Sequence, residues 1–150
     1  MRVALGTDHA GYELKERIRA FLLEEGHEVE DCGCFGPENC DYPDFVMPAA
    51  RLVATGACDR AIVLGGSGNG EAIAANRFRG VRCALCWNLD TARLSREHND
   101  ANCLALGARQ VSVMMALDIV RVWLTAGFTN GRHQRRIAKI DAVEGRCTPR

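Results

Sequence analysis

The chain has 150 residues, 47% hydrophobic and 25% charged, with 19 basic and 19 acidic side chains and no formal net charge. That length suits one domain with a sizeable core, and the composition is that of a soluble globular protein. Balanced charge gives no footprint for nucleic acid or an anionic membrane, and no apolar run nears the ~20 residues of a membrane span.

The opening residues, MRVALGTDHAG, start like a strand rather than a secretory leader, so a cytoplasmic address is expected. Arg2 to Gly6 reads as that strand and Thr7 to Gly11 as a turn. Leu14, Ile18, Phe21 and Leu22 then form the stripe of an amphipathic helix, which Gly26 closes. Glu28 to Cys32 is a second strand, and Gly33 to Asp41 is a loop ending in Tyr42-Pro43. Asp44 is expected to cap a helix carrying Phe45, Ala49, Leu52 and Val53, stopped near Gly56.

Asp59 to Gly80, DRAIVLGGSGNGEAIAANRFRG, is the most informative stretch. Ala61 to Leu64 has the pattern of a strand buried on both faces. Gly65, Gly66, Gly68 and Gly70 follow, then good helix formers from Glu71 to Asn76. Strand, glycine turn and helix N-terminus bring backbone N–H groups close to a ligand. Two nucleotide signatures fail here. The G-x-G-x-x-G pattern lacks its last glycine, and the P-loop spacing of Gly65 and Gly70 is followed by Glu71 instead of Lys. An acid there is wrong for gripping phosphate. It suits a carboxylate base beside N–H donors, the layout for taking a proton next to a carbonyl and holding an enediolate. The plainer alternative is a glycine-rich turn with a Glu favoured by the helix dipole.

Arg82 to Cys86 is a fourth strand, Asp90 to His98 a helix, and Cys103 to Leu106 a fifth strand. Val113, Leu117, Val120 and Leu124 mark a further helix. After the break at Gly127 to Gly131, a last helix carries His133, Ile137 and Ile140 on one stripe and Arg132, Arg136 and Lys139 on another. Strands alternating with helices argue an α/β fold with a parallel sheet covered on both faces. Ligands bind such sheets beyond the carboxyl ends of the strands. Of the eight cysteines, Cys83 and Cys86 form a C-x-x-C. Three apart on a strand, they point to opposite faces and cannot easily share a metal or a disulfide. Reduced, mostly buried thiols are expected.

With these residues in view, the chain resembles the type B ribose-5-phosphate isomerases, which share a family with isomerases of allose and galactose 6-phosphates. The resemblance runs from GTDHAGYELK through DYP, GGSGNGE-x-IAAN and SREHND to GRHQRRI, nearly the whole chain. It implies a three-layer α/β/α Rossmann-like sandwich with a five-stranded parallel sheet, spanning residues 1–150 as one domain. It also implies no cofactor, no metal, and a homodimer with shared active sites; pairing of two dimers into a tetramer is compatible with it. A C-terminal helix, about 131–144, is expected to reach the partner subunit.

One version of the family uses a cysteine base where this chain has Gly66; the other uses a glutamate, matched by Glu71. The resemblance makes Glu71 the base between C1 and C2, His98 the group that opens the furanose ring, and Ser67 a helper in moving a proton between O1 and O2. Asp8, Asp41, Tyr42 and Asn99 would hold the sugar, and Gly66, Gly68, Asn69 and Gly70 would surround the enediolate. His9, Arg109, Arg132 and Arg136 would hold the phosphate, the last two across the dimer. The expected reaction interconverts D-ribose 5-phosphate and D-ribulose 5-phosphate. A six-carbon sugar phosphate, a non-catalytic phosphate-binding module and a metal enzyme using Asp8, His9, Asp41 and His98 are the alternatives.

Overall fold

The computed structural model describes residues 1–143. Five strands alternate with helices: β1 (Arg2–Thr7), α1 (Tyr12–Glu24), β2 (Glu28–Asp31), α2 (Pro43–Ala54), β3 (Arg60–Gly65), α3 (Asn69–Ala75), β4 (Cys83–Leu85), α4 (Leu89–Asn99), β5 (Cys103–Gly107), α5 (Val113–Thr125) and α6 (Arg132–Asp141). The strands form one sheet, order β2-β1-β3-β5-β4, with every pairing parallel. This is the expected α/β Rossmann-like architecture. No described helix is long and apolar enough to cross a membrane.

The two faces of the sheet differ in side-chain size. Val3, Leu5, Ile62, Leu64, Leu104 and Leu106 face one way and pack with α1, α4 and α5 through Leu14, Ile18, Ala92, Ile119 and Trp123. Ala4, Ala61, Val63, Cys103 and Ala105 face the other way, against Val46, Ala49 and Ala75 of α2 and α3. Alternation along each strand produces both sets. Small residues on the second face let α2 come close: a methyl group on Gly6 would stand 2.5 Å from the Phe45 carbonyl oxygen. Cys86 belongs to the first cluster and Cys83 packs on the second, so the C-x-x-C is split between the faces. Of the seven described cysteines, all free, four are buried and three half-buried; Cys147 lies outside the described residues.

Several boundaries differ from the sequence reading. Helix α2 starts at Pro43, with Tyr42 at the cap position and Asp44 inside the first turn, making no cap. Proline at the first helical position has its φ preset and lacks an N–H that would need a partner. Helix α3 begins at Asn69, so Glu71 lies inside its first turn. Strand β4 shrinks to three half-buried residues, as suits an edge strand. Helix α6 ends at Asp141; residue 144, the expected helix end, lies outside the described residues.

Candidate active site

The chain leaves β1 toward β2 and leaves β3 toward β4, in opposite directions across the sheet. A crevice opens where such directions diverge, beyond the carboxyl ends of the two strands. The β1 loop brings Asp8 and His9 there, and the β3 turn brings Gly66 to Glu71. Gly68 caps α3 with φ +80, and a methyl group on it would stand 2.5 Å from Leu85 and 2.9 Å from the Leu106 backbone. Only glycine satisfies both the left-handed backbone and that approach.

The turn folds the Glu71 side chain back into the protein, leaving it 4% exposed. Its carboxylate lies against Gly65, where a methyl group would overlap Oε1. Burial raises the Glu71 pKa; Asp8 adds to the rise, while the N–H groups of Glu71 and Gly68 oppose it. The result is a carboxyl group that takes up a proton more readily than an exposed one, as a base working near neutral pH requires. The Asn69 N–H bonds to Ser67 Oγ at 3.3 Å. Three of the five N–H groups from Ser67 to Glu71 thus serve the turn and the carboxylate itself.

Other predicted residues frame this carboxylate. The Tyr42 ring covers Gly70, where a methyl group would stand 2.7 Å from Cζ, and the Arg109 guanidinium lies along Gly66. Asp8 Oδ1 accepts the N–H groups of Ala10 (2.9 Å) and Gly11 (3.3 Å), which fixes its turn. His9 Nδ1 accepts the Cys40 N–H at 3.3 Å, leaving Nε2 to carry the ring proton. Asp41 is exposed; its carbonyl accepts the Asp44 N–H and shapes the start of α2.

His98, Asn99, Arg132 and Arg136 are not in this crevice. Helix α4 starts beyond the carboxyl end of β4 and runs back, so its last residue, Asn99, lies just before β5 begins at Cys103. Five residues of β5 separate the two edges, roughly 16 Å at strand rise. At the amino edge, Arg82 Nε donates to the Asn99 carbonyl at 2.9 Å. The Thr129 N–H and hydroxyl both donate to the Glu97 carbonyl, at 3.0 and 2.7 Å. That clamp delivers α6 onto the end of α4. His98 and His133 stack there, centroids 4.2 Å apart and planes 6° from parallel, with the exposed Arg132 and Arg136 beside them.

The predicted residues therefore form two clusters on opposite edges of one chain. Two contributions were missed by the sequence reading. Gly65 makes room for the carboxylate, which its spacing does not announce. His133 is placed by its stripe with Ile137 as a packing residue, and the stripe is the only signal of its place beside His98. Among the described residues, no three His, Cys, Asp or Glu side chains gather as a metal site would require.

Residues 3–140 match the profile of a family described as Ribose/Galactose Isomerase. Ribose-5-phosphate isomerase B of Mycolicibacterium paratuberculosis is 50% identical over 139 residues, 91% of this chain and 87% of its own. The Escherichia coli protein of that name is 45% identical over 145 residues, 97% of each chain. The solved Clostridium thermocellum ribose-5-phosphate isomerase B superposes with a TM-score of 0.93 at 52% identity, covering 94% of this chain and 95% of that one. The Trypanosoma brucei type B enzyme gives 0.92 at 39% identity, covering 95% and 98%. Matched by the family profile over nearly its whole length and superposing closely on solved relatives, the chain belongs to the ribose/galactose isomerase family.

Proposed function

We propose that the protein is an aldose–ketose isomerase interconverting D-ribose 5-phosphate and D-ribulose 5-phosphate, working in the cytoplasm. One observation carries the chemistry: a buried carboxylate with a raised pKa, seated on a glycine turn at the sheet's ligand-binding edge. The names of the relatives and solved structures supply the substrate.

Ring opening moves a proton from O1 of the furanose to the ring oxygen, breaking the C1–ring oxygen bond and forming the C1 aldehyde. His98 is the acid–base group for this step. Glu71 then takes the proton from C2, and the electron pair becomes the enediolate. Returned to C1, the proton gives the ketose. Ser67 helps move a proton between O2 and O1, and the N–H groups of its turn that neither Ser67 Oγ nor the Glu71 carboxylate engages stabilise the oxyanion, each such donor being worth ~10²–10³ in rate. Asp8, Tyr42 and Asn99 hold hydroxyl groups. His9, Arg109, Arg132 and Arg136 hold the phosphate through charge-assisted bonds of ~1.5–3 kcal/mol each.

Glu71 and His98 cannot meet on one substrate within one chain, because the sheet stands between them. A second copy supplies the missing cluster. In a two-fold pair the same surfaces are exchanged both ways. The carboxyl edge of each copy meets the amino edge of the other, completing two sites. The test is turnover across five- and six-carbon aldose and ketose phosphates, with highest kcat/KM expected for the ribose/ribulose pair. Preference for a six-carbon pair would reassign the substrate, and no turnover of any would overturn the reading.

A further inference from the structure

We propose that His133 is a positioning residue for ring opening: its imidazole, stacked flat on His98, fixes the plane in which His98 meets the sugar of the neighbouring copy. This rests on the ring-opening role given to His98 above. The geometry is specific. The rings are 4.2 Å apart and 6° from parallel, on two different helices. The segment leading into α6 is fastened to the end of α4 near the rings, by the two hydrogen bonds that Thr129 donates to the Glu97 carbonyl. Ile137, one turn after His133 on the same face of α6, is buried. His133 therefore lies on the docked face of the helix, whereas Arg132 and Arg136 are exposed.

An imidazole on a helix end turns about two side-chain bonds, and proton transfer needs one orientation. A flat neighbour at stacking distance removes most of that freedom. Burial, then His98, Arg132 and Arg136, hold the His133 pKa below its ordinary value. Arg132 and Arg136 are the charged side chains of α6 beside His133. The neighbouring acids at the end of α4 are otherwise engaged, Glu97 by Arg93 and the capping Asp100 by Arg96 and Arg82.

The test compares two reactions in the intact protein. Ribose 5-phosphate must be ring-opened. Ribulose 5-phosphate has its 5-oxygen blocked by phosphate and forms no furanose, so solvent-hydrogen exchange into it bypasses the step. His133→Ala should lower kcat/KM for ribose 5-phosphate roughly tenfold or more, with exchange into ribulose 5-phosphate within about twofold of the unmodified protein. His133→Phe keeps a flat ring without a titrating group, and should recover most of the loss. A helix-packing role alone would lower both reactions together. Equal losses in both reactions, no loss in either, or no recovery with Phe would each overturn the proposal. His98→Asn serves as the reference. Selective loss there with a normal His133→Ala overturns only the role of His133, whereas equal losses in His98→Asn overturn the ring-opening role itself and this proposal with it.

Discussion

Glu71 is costly to keep charged in the folded protein, and this has a measurable sign. Its folded pKa is raised by burial, so the stability it confers is complete below the unfolded carboxylate pKa and is lost as pH rises through the folded value. Glu71→Gln carries no charge at any pH. It should melt at a higher temperature than the unmodified protein at pH 7, and the gain should vanish in acid. The same substitution should lower kcat by roughly 10²–10⁴ while leaving substrate binding nearly intact. Near-normal turnover, or a lower melting temperature at pH 7, would contradict the assignment. Gly65 tests the seat of the carboxylate. A methyl group there overlaps Oε1, the movable end of a side chain, so Gly65→Ala should fold and yet lose most of kcat. An unchanged kcat would mean that the carboxylate works from another position. Glu71 stood out in the sequence as the candidate base because an acid stands where a P-loop needs a cation. The seat was not, because a close approach across a turn depends on where the backbone goes.

At the scale of elements, the loop leading to Tyr42 is anchored by a charge that composition alone would place outside. Lys15 of α1 is fully buried and pairs with Asp31 at the end of β2, 2.5 Å, and with Glu16, 2.9 Å. Burial alone would lower its pKa; the bonds that Lys15 donates to Asp31 and Glu16 leave it raised. Asp31 in turn accepts the Gly33 N–H at 2.9 Å, fixing the first turn of the loop. Removing one partner of a buried pair typically costs about 3–5 kcal/mol, and the partial exposure of Asp31 favours the lower end. Lys15→Met should therefore lower the urea midpoint clearly, and a midpoint equal to the unmodified protein would show the pair to be dispensable. The strands were readable from alternation and apolar runs, and Gly26 and Gly56 duly take positive φ at the ends of α1 and α2. The start of α2 was misread because an acid before an apolar stripe looks like a cap, while Pro43 makes the cap unnecessary.

For the whole molecule, residues grouped as one site by motif prove to be two clusters on opposite edges of the sheet. Periodicity locates His98 at a helix end but does not say which edge that end reaches. The edge follows from the direction of α4, which follows from the parallel sheet. Shared sites are then a geometric consequence of the proposed chemistry. Mixing Glu71→Gln with Arg136→Ala, each expected to be nearly inactive by itself, tests this most directly. If the arginine acts across the pair, a mixed dimer has one site with both defects and one with neither. With subunit exchange confirmed, ribose 5-phosphate isomerisation should return to about half per mixed dimer if the sites are independent. If the arginine served its own chain, every site would keep one defect, and no recovery in proven mixed dimers would contradict the shared site.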